Sequence, residues 1–510
     1  MDKIVVLDFG SQYAHLICRR IREQGVYAEL VSYNIDADTL AGMSPKGIIF
    51  SGGPASVYED GAPLCDRRIL TLGIPILGIC YGHQMLVHML GGVVKRAKRE
   101  YGSAELIVDD GKDLFMGIKQ RMRCWMSHGD AAESLPEGFS ILAHTESSFA
   151  AAVADRSRKV YGLQFHPEVA HTEHGSDILR NFAVRICNAR QEWSMSNFID
   201  SAVNDIRGKV KEGERVLAAV SGGIDSTVTA LLVHRAVGDR LTCIFINHGL
   251  LREGEEDEVL DMFKTLGIKP IYIDASSRFL TRLKDVEDPE AKRLIIGEEF
   301  ARVFDDAVKE HGPFHWLAQG TLYPDVIESG VSVSREAATI KSHHNVAGLP
   351  KWLNLKVLEP LRQLYKDEVR QVARLLGVPE HMVRRHPFPG PGLAVRVIGK
   401  VTEEKLRICK RASRIVEEEL ARAGLYDKVW QAFAIVGDDR AVGVLGDGRV
   451  YGHIVSIRVV ESVDAMTADW AKLPYELLAR MSNRITNEVE GVTWVTYAIS
   501  SKPPATIEPQ

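Results

Sequence analysis

Pro75-Ile76-Leu77-Gly78-Ile79-Cys80-Tyr81-Gly82 is an apolar run that ends at a cysteine between glycines. Such a run is typical of a strand that is buried on both faces of a parallel sheet. A helical pattern follows the cysteine directly, and this alternation of strand and helix indicates an α/β domain. Residues 4–7 (Ile-Val-Val-Leu) and 47–50 (Gly-Ile-Ile-Phe) are apolar runs of the same kind. The first part of the chain therefore predicts an α/β fold with a mainly parallel sheet.

A second α/β pattern begins near residue 215 and continues with short apolar runs that alternate with helical segments. The Pro/Gly cluster at residues 386–392 breaks this pattern. Beyond it, alternating apolar and polar residues predict half-exposed strands in a mostly antiparallel sheet. We therefore expect two consecutive α/β domains with mainly parallel sheets, followed by a smaller α+β domain. The expected boundaries are residues 1–190, 191–385 and 386–510.

The composition of the 510-residue chain is that of an ordinary globular protein, with 45% hydrophobic residues, 26% charged residues and a formal net charge of -5. This charge gives no indication of nucleic-acid binding, and no apolar run reaches the roughly 18 residues that a membrane span needs. The cysteines are scattered, which argues against disulfides and against a CxxC zinc site. The first residues resemble a strand rather than a secretion signal. We therefore expect a cytoplasmic protein.

Cys80 stands where the predicted strand turns into a helix, which is the position of an exposed nucleophile on a sharp turn. A helix N-terminus behind the sulfur favours the reactive thiolate. A small buried cysteine at a tight turn is the structural alternative. His166 and Glu168, at the end of another apolar strand, offer a base and an acid that orients it, and they favour the functional interpretation. The glycine turn after residues 47–50 includes Gly53, whose backbone N–H could stabilise an oxyanion.

The elbow at residues 78–84, together with the segment 163–168, resembles the class I glutamine amidotransferases, and the resemblance extends over about residues 1–187. It implies a cysteine nucleophile that releases ammonia from the side-chain amide of glutamine. The catalytic residues that it implies are Cys80 as nucleophile, His166 as base and Glu168 as the residue that orients the base. The residues that it implies for the oxyanion hole and for glutamine binding are Gly53, Tyr81, Gln84, His128 and Asp130.

Val220-Ser221-Gly222-Gly223-Ile224-Asp225-Ser226 follows a predicted strand and opens a predicted helix. Glycines let backbone amides turn toward an anion, and the helix N-terminus favours negative charge. The lysine of a Walker A loop is absent, which favours pyrophosphate as the departing group over γ-phosphoryl transfer. Asp225 is placed to hold Mg²⁺, whereas a generic glycine turn is the alternative for the whole segment. The motif resembles the N-type ATP pyrophosphatases, and the resemblance implies that residues 221–226 bind ATP.

Three further segments bear on the group that is adenylated. Residues 319–329 carry Asp325, a second carboxylate that could reach Mg²⁺, and residues 340–346 (Ile-Lys-Ser-His-His-Asn-Val) suit a polyphosphate. Residues 501–504 (Ser-Lys-Pro-Pro) would by themselves be dismissed as a frayed tail. With residues 389–393 (Pro-Gly-Pro-Gly-Leu), these segments resemble the family of glutamine-hydrolysing GMP synthetases along the whole chain.

This resemblance implies that ATP with Mg²⁺ adenylates xanthosine monophosphate (XMP) at its C2 oxygen and that pyrophosphate is released. Ammonia from glutamine then displaces AMP to give GMP, and no organic cofactor takes part. The resemblance also implies a homodimer formed through the C-terminal domain. The residues that it implies for XMP are Arg293, Arg449, Lys502, Ile507 and Glu508. Those proposed for Mg²⁺ are Asp225 and Asp325.

Two positions depart from the family pattern. Asn247 stands where the family commonly has an aspartate, and the usual Glu-Trp-Glu ending is Glu508-Pro509-Gln510 here. A proline lacks a backbone donor, so we expect altered contacts in this tail. For Arg449, a surface residue in a hairpin turn is the alternative. Two other functions remain open, namely an ATP pyrophosphatase that adenylates a carboxylate, as in NAD synthetase, and a nucleotide-binding regulator without catalysis.

Overall fold

The computed structural model describes residues 1–326, 355–462 and 467–510. These residues form two compact units, Met1–Phe198 and Ile199–Gln510. The three-domain division expected from the sequence stays a prediction. Across the described ranges, no helix combines the length and the apolar character that a membrane crossing requires.

The first unit is built around a nine-stranded sheet. Its strands are β1 (Lys3–Asp8), β2 (Tyr27–Ser32), β3 (Gly47–Phe50), β4 (Ile76–Ile79), β5 (Val93–Val108), β6 (Arg121–Ser134), β7 (Ser140–His144), β8 (Ala152–Asp155) and β9 (Val160–Leu163). Its helices are α1 (Ala14–Glu23), α2 (Ala37–Gly42), α3 (Tyr81–Met89) and α4 (Gly175–Arg180). The strand order is β2-β1-β3-β4-β9-β8-β7-β5-β6. The pairs from β2 to β9 are parallel, and those from β9 to β6 are antiparallel.

The parallel half of this sheet positions the first predicted site. Its central strands are apolar along their length because helices cover both faces, and Ile49, Leu77 and Leu163 are fully buried. Phe50 at the end of β3 pairs with Gly78 of β4. Carboxyl ends of parallel strands meet at one edge of a sheet, so the loops after β3, β4 and β9 lie side by side.

The second unit begins with a five-stranded parallel sheet in the order β12-β11-β10-β13-β14. Its strands are β10 (Val216–Ala219), β11 (Leu241–Asn247), β12 (Ile271–Asp274), β13 (Trp316–Ala318) and β14 (Lys356–Leu358). Its helices are α5 (Met195–Lys209), which crosses the division between the units, α6 (Ile224–Val237), α7 (Glu255–Thr265), α8 (Ser276–Leu283), α9 (Pro289–His311), α10 (Lys366–Leu375) and α11 (Glu380–Val383). The chain leaves β10 toward β11 on one side and reaches β13 on the other. Such a reversal of strand order opens a crevice at the carboxyl ends of the strands.

A second sheet follows in the same unit. It consists of β15 (Gln431–Leu445), β16 (Gly448–Glu461), β17 (Asp469–Trp470) and β18 (Val492–Tyr497), with α12 (Glu403–Arg422) and α13 (Tyr475–Glu488). β15 and β17 pair with β16 antiparallel, and β18 pairs with it in parallel. One apolar core includes Ile244 of the parallel sheet, Ile408 of α12 and Val455 of β16.

The fold class expected from the sequence is confirmed: two α/β sheets are followed by a smaller α+β region. The first sheet contains a larger antiparallel part than its apolar runs indicated. Strands β5 and β6 form a long hairpin in which exposed and buried positions alternate. Alternation of this kind needs only one covered face, and antiparallel pairing permits it.

Candidate active sites

Cys80 occupies the turn between β4 and α3. Its backbone φ is 52°, a left-handed conformation that is uncommon for a residue with a side chain. A Cβ on Gly78 would lie 2.5 Å from the backbone of Gly82, and a Cβ on Gly82 would lie 2.4 Å from the carbonyl oxygen of Phe50. The turn therefore requires glycine at both positions, as a nucleophile elbow does.

His166 and Glu168 follow β9 and are hydrogen-bonded to each other, with 2.8 Å between Nδ1 of His166 and Oε1 of Glu168. Both are buried, and Glu168 is fully so. Burial by itself lowers the pKa of His166, but the interactions with Cys80 and Glu168 outweigh it and raise the pKa to about 10. His166 therefore holds a proton next to Cys80 at neutral pH.

The loop after β3 lies against both Cys80 and His166. A Cβ on Gly52 would lie 3.3 Å from Cε1 of His166 and 3.7 Å from Cβ of Cys80. At Gly53 a Cβ would lie 2.7 Å from a carbonyl oxygen, so the position excludes a side chain. The backbone N–H of Tyr81 belongs to the first turn of α3. The loop and this helix start flank the sulfur, as an oxyanion hole requires.

Hydrogen bonds join the residues that were expected to bind glutamine. Nε2 of Gln84 donates to the carbonyl oxygen of Asp130 at 2.6 Å, and Nδ1 of His128 lies 3.1 Å from the same oxygen. Nε2 of His128 lies 3.2 Å from Oε2 of Glu100. Burial lowers the pKa of His128, and the Glu100 carboxylate opposes this effect. The structure thus brings Gln84, His128 and Asp130 together beside the helix that starts after Cys80.

Two side chains that sequence reasoning did not assign contact Cys80 and His166. Nε2 of Gln164 lies 3.9 Å from Sγ of Cys80. The ring of Tyr13 stands edge-on to His166, with 5.4 Å between the ring centroids. Gln164 lies two residues before His166, so the quoted segment 163–168 already contained it. Tyr13 precedes α1, and no motif marked it.

Ser56 and Tyr58, in the loop after β3, were also not expected. Ser56 Oγ donates to Oδ2 of Asp130 at 2.5 Å, and the Tyr58 hydroxyl donates to Oδ1 at 2.8 Å. Ser56 and Tyr58 lie 74 and 72 residues before Asp130 along the chain. No sequence motif marks either residue, because sheet order alone brings the two segments together.

The second predicted site lies at the carboxyl end of β10, where residues 221–226 lead into α6. Gly222 has a φ of 75°, and a Cβ there would lie 2.3 Å from a methyl group of Val259. Ser226 Oγ donates to the carbonyl oxygen of Gly223 at 3.0 Å and accepts from the N–H of Ser221 at 3.2 Å. The loop is therefore held in a tight turn at a helix N-terminus, the arrangement that binds anions.

Lys366, the first residue of α10, reaches this loop. Its Nζ lies 2.5 Å from Oδ2 of Asp225. The other carboxylate oxygen of Asp225 is buried and has no hydrogen-bond partner within the described ranges. The glycine loop lacks its own lysine, and the structure brings one from 141 residues further along the chain. Sequence reasoning missed Lys366 because nothing near it forms a phosphate-binding motif.

The carboxylate of Asp325 follows β13, the neighbour of β10. Its Oδ2 accepts a hydrogen bond from the N–H of Leu322 at 3.2 Å. No cluster of three or more His, Cys, Asp and Glu side chains suited to a metal ion occurs among the residues that the structure describes. The orphaned oxygen of Asp225 nevertheless fits Mg²⁺, which commonly takes one or two carboxylates and completes its shell with phosphates and water. Residues 340–346, expected to bind polyphosphate, lie outside the described residues, as do residues 327–329.

Asn247 ends β11 and makes contacts that an aspartate could not make. Its Nδ2 donates to Oε2 of Glu256 at 2.6 Å and to the hydroxyl of Tyr272 at 3.2 Å, while its Oδ1 accepts from the N–H of Gly249 at 2.8 Å. A carboxylate in this place would face the Glu256 carboxylate. The amide of Asn247 is therefore matched to the Glu256 carboxylate.

Glu508 is anchored where β15 begins. Arg396, which is 1% exposed, donates to both carboxylate oxygens of Glu508 at 3.0 and 2.9 Å. Gln431, the first residue of β15, donates to Oε1 of Glu508 at 2.6 Å. A bidentate guanidinium pair of this kind fixes the position and the charge of the carboxylate.

The neighbouring tail residues lie nearby. Arg458 donates to the carbonyl oxygen of Ile507 at 3.0 Å, and Arg293 donates to the backbone oxygen of Gln510 at 2.7 Å. The backbone N–H of Lys502 donates to a carbonyl oxygen just before β17 at 2.7 Å. Arg293 therefore lies beside the C-terminal segment that contains Ile507 and Glu508.

Arg449 does not join this group. It pairs with Val444 close to the turn between β15 and β16. Val444 lies thirteen residues beyond Gln431 on β15, and strands extend by about 3.3 Å per residue, so roughly 40 Å separate Arg449 from the start of that strand.

The chain matches two family models, glutamine amidotransferase class-I over residues 5–186 and GMP synthase C terminal domain over residues 418–509. A glutamine-hydrolysing GMP synthase of Synechococcus sp. is 54% identical over 515 residues, which cover 99% of this chain and 96% of that relative. Its counterpart in Aquifex aeolicus is 54% identical over 507 residues, which cover 99% of both chains. A solved glutamine amidotransferase of Thermotoga maritima is 21% identical with a TM-score of 0.27, covering 41% of this chain and 85% of that one. The sequence identity spans both units, and the chain belongs to the family of glutamine-hydrolysing GMP synthases.

Proposed function

We propose that this protein aminates XMP to GMP, with glutamine as the nitrogen donor and ATP cleaved to AMP and pyrophosphate. The observation that supports this proposal is the presence in one chain of a buried Cys80-His166-Glu168 arrangement and of a glycine turn at a helix N-terminus with Lys366 beside it. Each of them follows a strand of its own parallel sheet. The first releases ammonia, and the second activates the acceptor that ammonia attacks.

In the glutaminase reaction the Cys80 thiolate attacks the side-chain amide carbon of glutamine. Backbone N–H groups of Gly53 and Tyr81 stabilise the oxyanion that forms. His166 gives its proton to the departing ammonia, and Glu168 holds the imidazolium in place. Water then hydrolyses the thioester and releases glutamate.

In the synthetase reaction the C2 oxygen of XMP attacks the α-phosphorus of ATP, and pyrophosphate leaves. The amides and hydroxyls of residues 221–226 hold the phosphates, and Lys366 neutralises charge on the departing pyrophosphate. Bound Mg²⁺ supplies further positive charge there, and Asp225 and Asp325 are the residues that would hold it. Ammonia then attacks C2, and AMP departs with the oxygen.

XMP is assigned to the tail region, where Arg293, Lys502, Ile507 and Glu508 are the proposed contacts. Guanidinium groups suit a phosphate because their fork can bind two oxygens at once. The carboxylate of Glu508, held by Arg396, is a fixed acceptor for donors on the base or the ribose. No separate organic cofactor is needed for this chemistry.

A homodimer through the second sheet accounts for the position of Arg449. Val442, Val444 and Tyr451 lie on one face of the β15–β16 hairpin and are 57%, 69% and 65% exposed. An exposed apolar strip of this kind is typical of a protein interface. We propose that a second copy seated on the strip carries its Arg449 toward the XMP site of the first copy.

Replacing the nucleophile should separate the two reactions. Cys80→Ala removes the thiolate but leaves residues 221–226 intact, so we expect loss of glutamine-dependent GMP formation and retention of ammonium-dependent formation. The measurement is the rate of GMP production with each nitrogen source. Cys243→Ala, at a buried cysteine of β11, is the matched control. Equal loss with ammonium would contradict the proposed division of labour.

The pH dependence of glutamine hydrolysis should change when the hydrogen bond from His166 to the Glu168 carboxylate is altered. The raised pKa of His166, about 10, predicts that the rate persists through neutral pH and falls as the pH approaches that value, since the proton for ammonia is then lost. In Glu168→Gln the stabilising charge is gone, so the alkaline fall should begin about one pH unit or more lower. Initial rates of glutamate release across the pH range test this, with Glu173→Gln as the control at an exposed glutamate. Identical profiles for Glu168→Gln and the unmodified protein would refute the assigned role.

Replacing Lys366, which contacts the glycine loop from α10, should slow the adenylation of XMP. Lys366→Ala takes away a positive charge at the phosphate loop, and we expect a fall of about a hundredfold in AMP formation from ATP and XMP. Lys366→Arg should restore part of the rate, and Lys264→Ala, at an exposed lysine of α7, should behave as the unmodified protein does. Single-turnover assays with ammonium measure the effect without the glutaminase. An unchanged rate in Lys366→Ala would remove this residue from the mechanism.

A charge on the apolar strip should dissociate the dimer. Val444→Asp is expected to give a monomer in sedimentation equilibrium, whereas Val357→Asp, at an exposed valine of β14, should not. If Arg449 acts in the site of a second copy, mixing Arg449→Ala with Lys366→Ala should restore part of the activity that each lacks. A Val444→Asp protein that remains dimeric would place the interface elsewhere.

A further inference from the structure

The carboxylate of Asp130 is held by the loop that follows β3. Ser56 Oγ and the Tyr58 hydroxyl each donate to a different oxygen of this carboxylate, at 2.5 and 2.8 Å. The same loop contains Gly53 at its start, and its end is tied to α3 because the Tyr81 hydroxyl donates to the carbonyl oxygen of Pro63 at 2.7 Å. The loop therefore joins the oxyanion side of the site to Asp130.

The backbone of Asp130 is fixed by the same site. Its carbonyl oxygen accepts from Nε2 of Gln84 and contacts Nδ1 of His128. Arg96 stands opposite Asp130 in the β5–β6 pairing, but no ion pair joins the two side chains among the described residues. The two donors to the carboxylate, Ser56 and Tyr58, are neutral hydroxyls. An ionised carboxylate offers about four acceptor sites, so two hydroxyls leave its charge and part of its acceptor capacity free for a cation.

Neutral donors suit this task better than a built-in cation would. An arginine or lysine bound to Asp130 would compete with an incoming ammonium group, whereas hydroxyl donors fix the direction of the carboxylate without neutralising it. Asp130 is linked to the helix that starts after Cys80, because Gln84 of α3 donates to its carbonyl oxygen. In the proposed reaction Cys80 attacks the amide end of glutamine. In glutamine a fixed number of bonds separates the α-ammonium group from the side-chain amide carbon. The position of Asp130 relative to Cys80 therefore determines which amino acid amides can bind with the amide carbon at the sulfur.

We propose that Ser56 and Tyr58 are positioning residues that aim the Asp130 carboxylate at the α-ammonium group of glutamine. Through them the loop after β3 selects amides of free α-amino acids. This inference rests on the proposed glutaminase function and assigns a selectivity device within that site.

Removing either hydroxyl should weaken glutamine binding more than catalysis. Tyr58→Phe and Ser56→Ala are each expected to raise the KM for glutamine about tenfold and to change kcat less than about twofold. Ser56→Thr keeps the hydroxyl and should restore the KM. Tyr475→Phe removes an exposed hydroxyl from the first turn of α13 and serves as the matched control.

Two reagents that alkylate Cys80 distinguish positioning from a general loosening of the loop. Iodoacetamide has no α-ammonium group, so its rate should be the same in Tyr58→Phe and in the unmodified protein. A diazoketone analogue of glutamine with a free α-amino group should react about tenfold more slowly with the variant. Equal slowing of both reagents, or of neither, would overturn the proposal.

Asp130→Asn separates failure of this inference from failure of the proposed function. A raised KM for glutamine in Asp130→Asn with an unchanged KM in Tyr58→Phe and Ser56→Ala would refute the positioning role and leave the glutaminase intact. An unchanged KM in Asp130→Asn would refute both the ammonium contact and the positioning role. Absence of glutamine hydrolysis in the unmodified protein would instead refute the function itself.

Discussion

The close packing of backbone around the Cys80 turn is the constraint on which the first site depends. Neither Gly78 nor Gly82 has room for a Cβ. A Cβ on Gly78 would meet the backbone of Gly82, and a Cβ on Gly82 would meet the carbonyl oxygen of Phe50. This packing lets β4 end and α3 begin within a single residue. It places the sulfur at a helix N-terminus and at the sheet edge where the loops after β3 and β9 also arrive. His166 and Gly53 are therefore neighbours of the sulfur.

The second site combines a glycine loop at a helix N-terminus with a lysine from another helix. Backbone amides in such a loop can bind the phosphates of ATP, but a cationic side chain is also needed to stabilise the negative charge of the departing pyrophosphate. In this structure Lys366 of α10 lies against Asp225 of the glycine loop, and the proposed reaction gives it that role. The second carboxylate oxygen of Asp225 is buried without a hydrogen-bond partner among the described residues.

Much of both sites could be predicted because the determining patterns are local. His166 and Glu168 stand two residues apart, so one segment contained both members of the hydrogen-bonded pair. The departure at Asn247 was recognised from the sequence, but its reason was not, since Glu256 lies on the following helix and meets it only in the fold. Arg449 was assigned to XMP with the tail residues, yet it lies at the other end of the β15–β16 hairpin.

The sequence by itself determined the α/β class, the strand-to-helix turns at both sites and the nature of the groups in them. These properties arise from the spacing of apolar residues and from glycine where a side chain cannot fit, and both are visible within a short window. Only the tertiary structure decided that Lys366 contacts Asp225 of the glycine loop and that Ser56 and Tyr58 hold Asp130. Such contacts depend on which strands become neighbours, and strand order is set by packing of the whole sheet and not by any local pattern.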